Sequence, residues 1–186
     1  MRMPLTGRRF TVEEYHRMGR AGVFTEDDRV ELLDGQIVEM TPIGPGHAGC
    51  VAALTGLVAR LVGDRDVVWV QNPVLLGPRS EPQPDVAVLR ARADTYRTAH
   101  PEPRDVLLVI EVAETSFEHD RDVKIPLYAA AGVPEVWLVN LPADAVALYR
   151  DPGPQGYATL GTAGRGDTLT PLKLPGLTLR VDDILG

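Results

Sequence analysis

The chain has 186 residues and carries 19 Lys and Arg against 26 Asp and Glu, a formal net charge of −7. That length suits a single domain over residues 1–186 with room for a substantial core, and an apolar content of 44% argues against disorder. No apolar run approaches the roughly 18 residues that cross a membrane, so no membrane association is expected. Residues 1–7 carry charge without the apolar stretch of a signal peptide. Cys50 is the single cysteine, which forbids an internal disulfide, fits a reducing cytoplasm and reads as a small core residue.

Thr11-Val12-Glu13-Glu14 reads as a capping box and opens a predicted helix over residues 12–20, with Gly22 as its stop. Residues 29–33 and 36–40 flank Asp34-Gly35, the strongest short hairpin signal in the chain. A turn-rich loop leads to His47. From there to residue 62 the apolar positions Val51, Leu54, Leu57, Val58 and Leu61 recur with helical period, and Gly63 ends the helix. Strand-like runs follow at residues 67–71, 74–76, 85–89 and 106–112, with an irregular, proline-rich crossing over 77–84. A further helix is predicted over 120–131, although Pro126 fits only in a first turn, which moves the start toward Asp122 or Val123. Residues 135–140 form a buried strand that pairs with 146–149, and short β pieces occur at 157–160 and 177–181. Trp69 and Trp137 read as core. The pattern implies an α/β fold with a mixed central β-sheet flanked by helices.

Asp85 opens one strand-like segment, and Glu111 closes the apolar run Val106-Leu107-Leu108-Val109-Ile110. Neighbouring strands can present both carboxylates at one sheet edge. Paired hard oxygen ligands with open positions suit Mg2+ or Mn2+. A carboxylate in or just after an apolar strand is costly unless paired or metal-bound, although each can also simply mark a strand's exit into solvent. Lys124 shares a helix face with Asp120 and Tyr128. There it can steady charge on a phosphate oxygen, or it can form an exposed Asp120–Lys124 pair worth little. Ala113 stands where the simplest form of such a site has a lysine, so Lys124 substitutes for it from the helix.

Glu31 on the hairpin is a candidate third carboxylate, or an exposed strand residue. His47 follows a Gly-Pro-Gly turn and by default caps its helix; contact with phosphate is the alternative. Gln71 and Gln83 can bond water or phosphate, though nothing in their spacing says so, and Glu114 and Glu118 read as solvated. Arg90 and Arg92 belong to a modest basic excess between the two candidate ligands and are candidate substrate contacts. The acidic balance speaks against nucleic acid, whose binders usually carry a basic footprint. There is no phosphate-binding loop and no Gly-x-Ser-x-Gly turn, and one Cys with four scattered His lacks the spacing of a structural zinc site. These parts suffice for metal-dependent cleavage of a phosphodiester.

The order Pro84-Asp85, Glu111-Val112, Asp120-x-x-x-Lys124-x-x-x-Tyr128 and Gly132-Val133-Pro134-Glu135-Val136-Trp137 resembles the Uma-type endonucleases, a branch of the PD-(D/E)XK, restriction-endonuclease-like superfamily. Residues 31–38 and Pro42…His47 also look like that branch, so the resemblance runs from about Phe10 to Tyr149. It implies a restriction-endonuclease-like core, a divalent metal held by Asp85 and Glu111, Lys124 moved onto the helix, and Glu31 as an additional acid near the metal. It also implies a homodimer. Residues 111–116 lack the Ser-Pro-Ser pattern that many members carry after the strand glutamate, which leaves the shape of that loop open. The expectation is a cytoplasmic, Mg2+-dependent endonuclease acting on DNA. The rival is a catalytically inactive binding or regulatory module on the same fold, which the acidic balance and Ala113 favour.

Overall fold

The computed structural model describes residues 7–25 and 27–186, so the reading of residues 1–6 as lacking a signal peptide lies outside it. Helix α1 (Val12–Arg20) opens on the expected capping box: the Glu14 amide donates to the Thr11 hydroxyl at 3.2 Å, and the Thr11 amide donates to the Glu14 carboxylate at 3.0 Å. Strands β1 (Val30–Leu33) and β2 (Gln36–Glu39) form the expected hairpin. Asp34 and Gly35 both have positive φ, 42° and 74°, which a two-residue turn of this hand requires. A side chain at Gly35 would also meet Arg9 Cβ at 2.8 Å.

Helix α2 (Pro45–Val62) starts two residues before the expected position, because Pro45 is preset for a first helical turn and Gly44 serves as N-cap. Its 18 residues are long and apolar enough to cross a membrane, which corrects the reading that no segment approaches that length. Here that apolarity goes into packing, with Cys50, Val51, Leu54, Val58 and Val62 buried against the sheet. Burial pushes the Cys50 thiol up to about 11, in keeping with a core residue.

The central sheet has six strands in spatial order β3 (Asp66–Val70), β4 (Val86–Arg90), β5 (Val106–Ala113), β6 (Glu135–Asn140), β7 (Ala145–Gly153) and β8 (Gly156–Gly164). Only β5 and β6 run parallel, as their connection through a helix demands. The β7–β8 hairpin is much longer than the short pieces expected. Pro152 is tolerated because β6 ends its pairing at Arg150, so no ladder partner needs the missing N–H. Residues 74–76 form no strand. Their amides donate instead to the carbonyls of Pro82, Pro101 and Ser80, and the proline neighbours have no N–H to return.

The segment after β5 is helical from α3 (Phe117–His119) through a π turn (Asp120–Lys124) into α4 (Ile125–Ala131). The helix therefore begins before Asp120, not after it. Pro126 lacks the donor for a regular turn, and the wider π turn, with Ile125 N–H bonded to Asp120 O, absorbs the gap. At the end of the chain, β9 (Thr168–Leu169) pairs with β10 (Leu179–Arg180), and a short helix α5 (Val181–Leu185), not anticipated from the sequence, buries Val181 and Ile184 beside α2.

Strand alternation splits the core in two. Leu108, Ile110 and Val112 face α2 and α5, whereas Val109 and Ala113 face α4 with Tyr128 and Ala129. Glu111 has the second parity, which sends its side chain under α4. Glu135, the most deeply buried carboxylate among the described residues, has a structural explanation. It accepts from Trp137 Nε1 at 2.7 Å, Arg150 Nε at 2.8 Å and the Leu172 amide at 2.6 Å, tying β7 and the following segment to β6. Glu135→Gln weakens these charge-assisted bonds and is expected to cost about 1.5–3 kcal/mol, read as a lower urea midpoint.

Candidate active site

The antiparallel register of β4 and β5 pairs Val86 with Ile110 and so sets Asp85 beside Glu111. Two hydrogen bonds lock the pair: the Asp85 amide donates to Glu111 Oε2 at 3.3 Å, and the Val112 amide donates to Asp85 Oδ2 at 2.8 Å. Tyr128, from α4, donates its hydroxyl to Glu111 Oε1 at 2.7 Å. Lys124, on the π turn, places Nζ 3.4 Å from Glu111 Oε1 and 3.2 Å from Glu31 Oε1. Glu31 is buried, with its second oxygen accepting the Gln83 amide at 3.0 Å, so the exposed alternative for it does not hold. Asp120 is buried too and accepts the Ser116 hydroxyl at 2.6 Å, rather than forming an exposed pair with Lys124.

His47 does not cap α2. Its Nε2 lies 3.1 Å from Asp85 Oδ2, while its amide donates to Glu114 Oε2 at 3.2 Å. Glu114, read as solvated, is therefore the carboxylate at the start of α2, where the helix dipole favours negative charge; Glu118 is exposed as expected. A Cβ at Gly44 or Gly46 would collide with the Glu114 carboxylate and push that side chain from its place. Gln71 takes a φ of 48°, in the left-handed region that a side chain rarely adopts. That conformation lets its amide bond the carbonyls of Pro84 and Asp85, and its side-chain nitrogen donates to Asp85 Oδ1 at 3.3 Å.

Glu31, His47, Gln71, Gln83, Asp85, Glu111, Asp120 and Lys124 thus line one cavity of about 190 Å³. Arg90 and Arg92 lie apart from it. Arg90 ends β4 at the opposite end from Asp85 and bonds the Arg104 carbonyl, and Arg92 pairs with Asp94 and stacks over Tyr96. The exposed Arg29 and His119 are the basic groups at the cavity's edge. Asp120, Tyr128, Arg29 and His119 were not singled out as site residues from the sequence. The Asp120, Lys124 and Tyr128 spacing was the one signal that placed two of them on the right face.

Charge is badly unbalanced here, with four buried carboxylates against one buried ammonium. Burial pushes Glu111 up to about 8 despite Lys124, with Asp85 and Asp120 adding to the rise. Burial likewise raises Asp120. Asp85 is the exception: burial opposes its charge, but His47 and the Val112 amide hold it below the ordinary carboxylate range. In return the Asp85 hydrogen bond raises His47. Burial disfavours the Lys124 charge, yet Glu111, Glu31, Asp120 and Asp85 outweigh it and keep the ammonium protonated. A cavity of hard oxygen donors with excess negative charge fits a divalent cation such as Mg2+ or Mn2+.

A family model described as "Uma2: Putative restriction endonuclease" matches residues 12–182. The fold is similar to a crystal structure from Anabaena variabilis ATCC 29413, described as a "putative nuclease belonging to DUF820", with a TM-score of 0.73 and 16% identity over 95% of this chain and 97% of that one. At that identity the likeness speaks for a shared fold, in agreement with the expected α/β class and its mixed central sheet. No curated protein matches the chain significantly. With the family match extending over nearly all of its length, the chain belongs to the Uma2 family.

Proposed function

We propose that this protein is a metal-dependent endonuclease that hydrolyses DNA phosphodiester bonds. The observation that carries the reading is the convergence of Glu31, Asp85, Glu111 and Asp120 on Lys124 in one cavity at the strand ends. Asp85 and Glu111, with Glu31 beside them, are the residues that would hold Mg2+ or Mn2+. When bound, such an ion supplies positive charge and Lewis acidity toward a phosphoryl oxygen.

The chain's own groups do the rest. Val112 N–H, Gln71 and His47 fix the Asp85 carboxylate, and Tyr128 fixes that of Glu111, so neither has to reorganise as charge develops. Lys124, kept cationic by its carboxylate neighbours, steadies negative charge on the phosphate or the attacking water. Arg29 offers positive charge and His119 a ring N–H donor where the DNA backbone would approach an otherwise acidic surface.

The test is incubation of the purified protein with supercoiled plasmid and with single-stranded DNA in Mg2+ or Mn2+, with a chelator control. Cleavage that stops on chelation is the expected result. Cleavage that persists in chelator overturns the metal-dependent reading, and divalent binding without cleavage of either DNA favours the inactive module.

A further inference from the structure

Away from the carboxylate cavity, His16 on α1, Glu81 on the proline-rich crossing and His100 on the loop before β5 bring their ligand atoms within 4.8 Å of one another. Glu81 is buried, with Oε1 2.9 Å from His16 Nε2 and Oε2 without a hydrogen-bond partner. The His16 and His100 rings stand 6.2 Å apart between centroids. A plain His16–Glu81 ion pair explains one oxygen only. It leaves Oε2 unsatisfied, a cost of about 1–3 kcal/mol, and gives His100 no part.

We propose that His16, Glu81 and His100 form a second metal site that takes a transition-metal dication of the Zn2+ type. Two imidazoles and one carboxylate are a three-ligand set with an open position, and imidazole selects Zn2+, Co2+ or Ni2+ over the Mg2+ that suits an all-oxygen cavity. The backbone fixes two of the three ligands. Glu81 N–H donates to Leu32 O at 2.7 Å and so pins Glu81 to β1, while His100 precedes Pro101, whose carbonyl accepts the Leu75 amide at 2.9 Å. An ion there clamps three segments that are remote in sequence. It also steadies the crossing whose Gln83 amide holds Glu31.

The experiment is a titration of the metal-free protein with Zn2+ and with Co2+ at about pH 7.5, where free imidazole is neutral, following heat and the visible absorption of Co2+. His100 is exposed, so His100→Ala leaves the fold intact. The titration is made on Asp85→Asn/Glu111→Gln, which removes the ligands of the other cavity, and one equivalent is expected to bind with a low-symmetry Co2+ spectrum. On that background His100→Ala should weaken binding at least ~10-fold and His16→Ala/His100→Ala abolish it. No binding by Asp85→Asn/Glu111→Gln, or equal binding with and without the two histidines, overturns the proposal. None of these readouts depends on DNA cleavage.

Discussion

Changing Glu111 to glutamine is expected to lower metal-dependent DNA cleavage by at least ~10²–10³-fold while raising the stability of the metal-free protein at about pH 8. The loss of cleavage follows from removing one of two adjacent metal-binding carboxylates. The gain in stability follows from linkage. Glu111 titrates near 4.5 in the unfolded chain and near 8 in the fold, so the folded state binds more protons between those values. Its stabilising contribution is complete below the unfolded value and disappears as pH rises through the folded one, a loss on the order of 5 kcal/mol at most. Glutamine cannot ionise and keeps that stability, which should appear as a Tm higher by roughly 10 °C at pH 8 and a gap that closes toward pH 5. Mg2+ should raise the wild-type Tm and leave that of the variant unmoved.

Asp85→Asn should be equally inactive but less stable. Its carboxylate is held below the ordinary value, so it contributes stability above that value and loses it in acid. Two dead variants that shift stability in opposite directions cannot both owe their inactivity to unfolding. Wild-type cleavage by Glu111→Gln, or a lower Tm at pH 8, would sink this account.

What could be read in the sequence was local or strand-periodic. The capping box at Thr11, the Asp34-Gly35 turn and the apolar run ending at Glu111 each announce themselves within a few residues, and β4 and β5, adjacent in the chain order of strands, put Asp85 against Glu111 by register alone. What could not be read was which polar residues are buried. Asp120 and Glu31 have the same local sequence character whether they face water or an ammonium. Only the folding of the β1–β2 hairpin over Lys124 decides it, and that contact joins residues far apart in the chain.

The same limit applies to His47, whose loop position suggests a cap but whose partner, Asp85, comes from another strand. Proximity in sequence also misled in the opposite sense. Arg90 and Arg92 stand a few residues from Asp85, yet β4 is extended and carries them roughly 17 Å away along the sheet. The π turn was hidden for a different reason. Pro126 signalled a problem in the helix, but a boundary and a bulge both solve it, and only the buried face of Asp120, Lys124 and Tyr128 selects the bulge.

Lys124→Met is the more severe test of the same electrostatic cluster. Methionine fills the volume of the lysine stem, so packing is largely kept and the charge alone is lost. Glu31, Glu111 and Asp120, all buried, then share a cavity with no ammonium, and breaking a buried pair by removing one partner costs about 3–5 kcal/mol. The cost should shrink as pH falls from about 9 to about 6, because protonation through its folded value near 8 removes the Glu111 charge that the ammonium partners. It should shrink again on adding Mg2+ or Mn2+, which replaces the missing positive charge, although cleavage does not return because the group that steadies the phosphate is gone. Adding Glu111→Gln to Lys124→Met should recover part of the loss, a coupling of about 0.5–3 kcal/mol in a double-mutant cycle followed by urea denaturation. A Lys124→Met protein as stable as the wild type at neutral pH, or losses that simply add in the cycle, would mean that the ammonium is not what holds these carboxylates together.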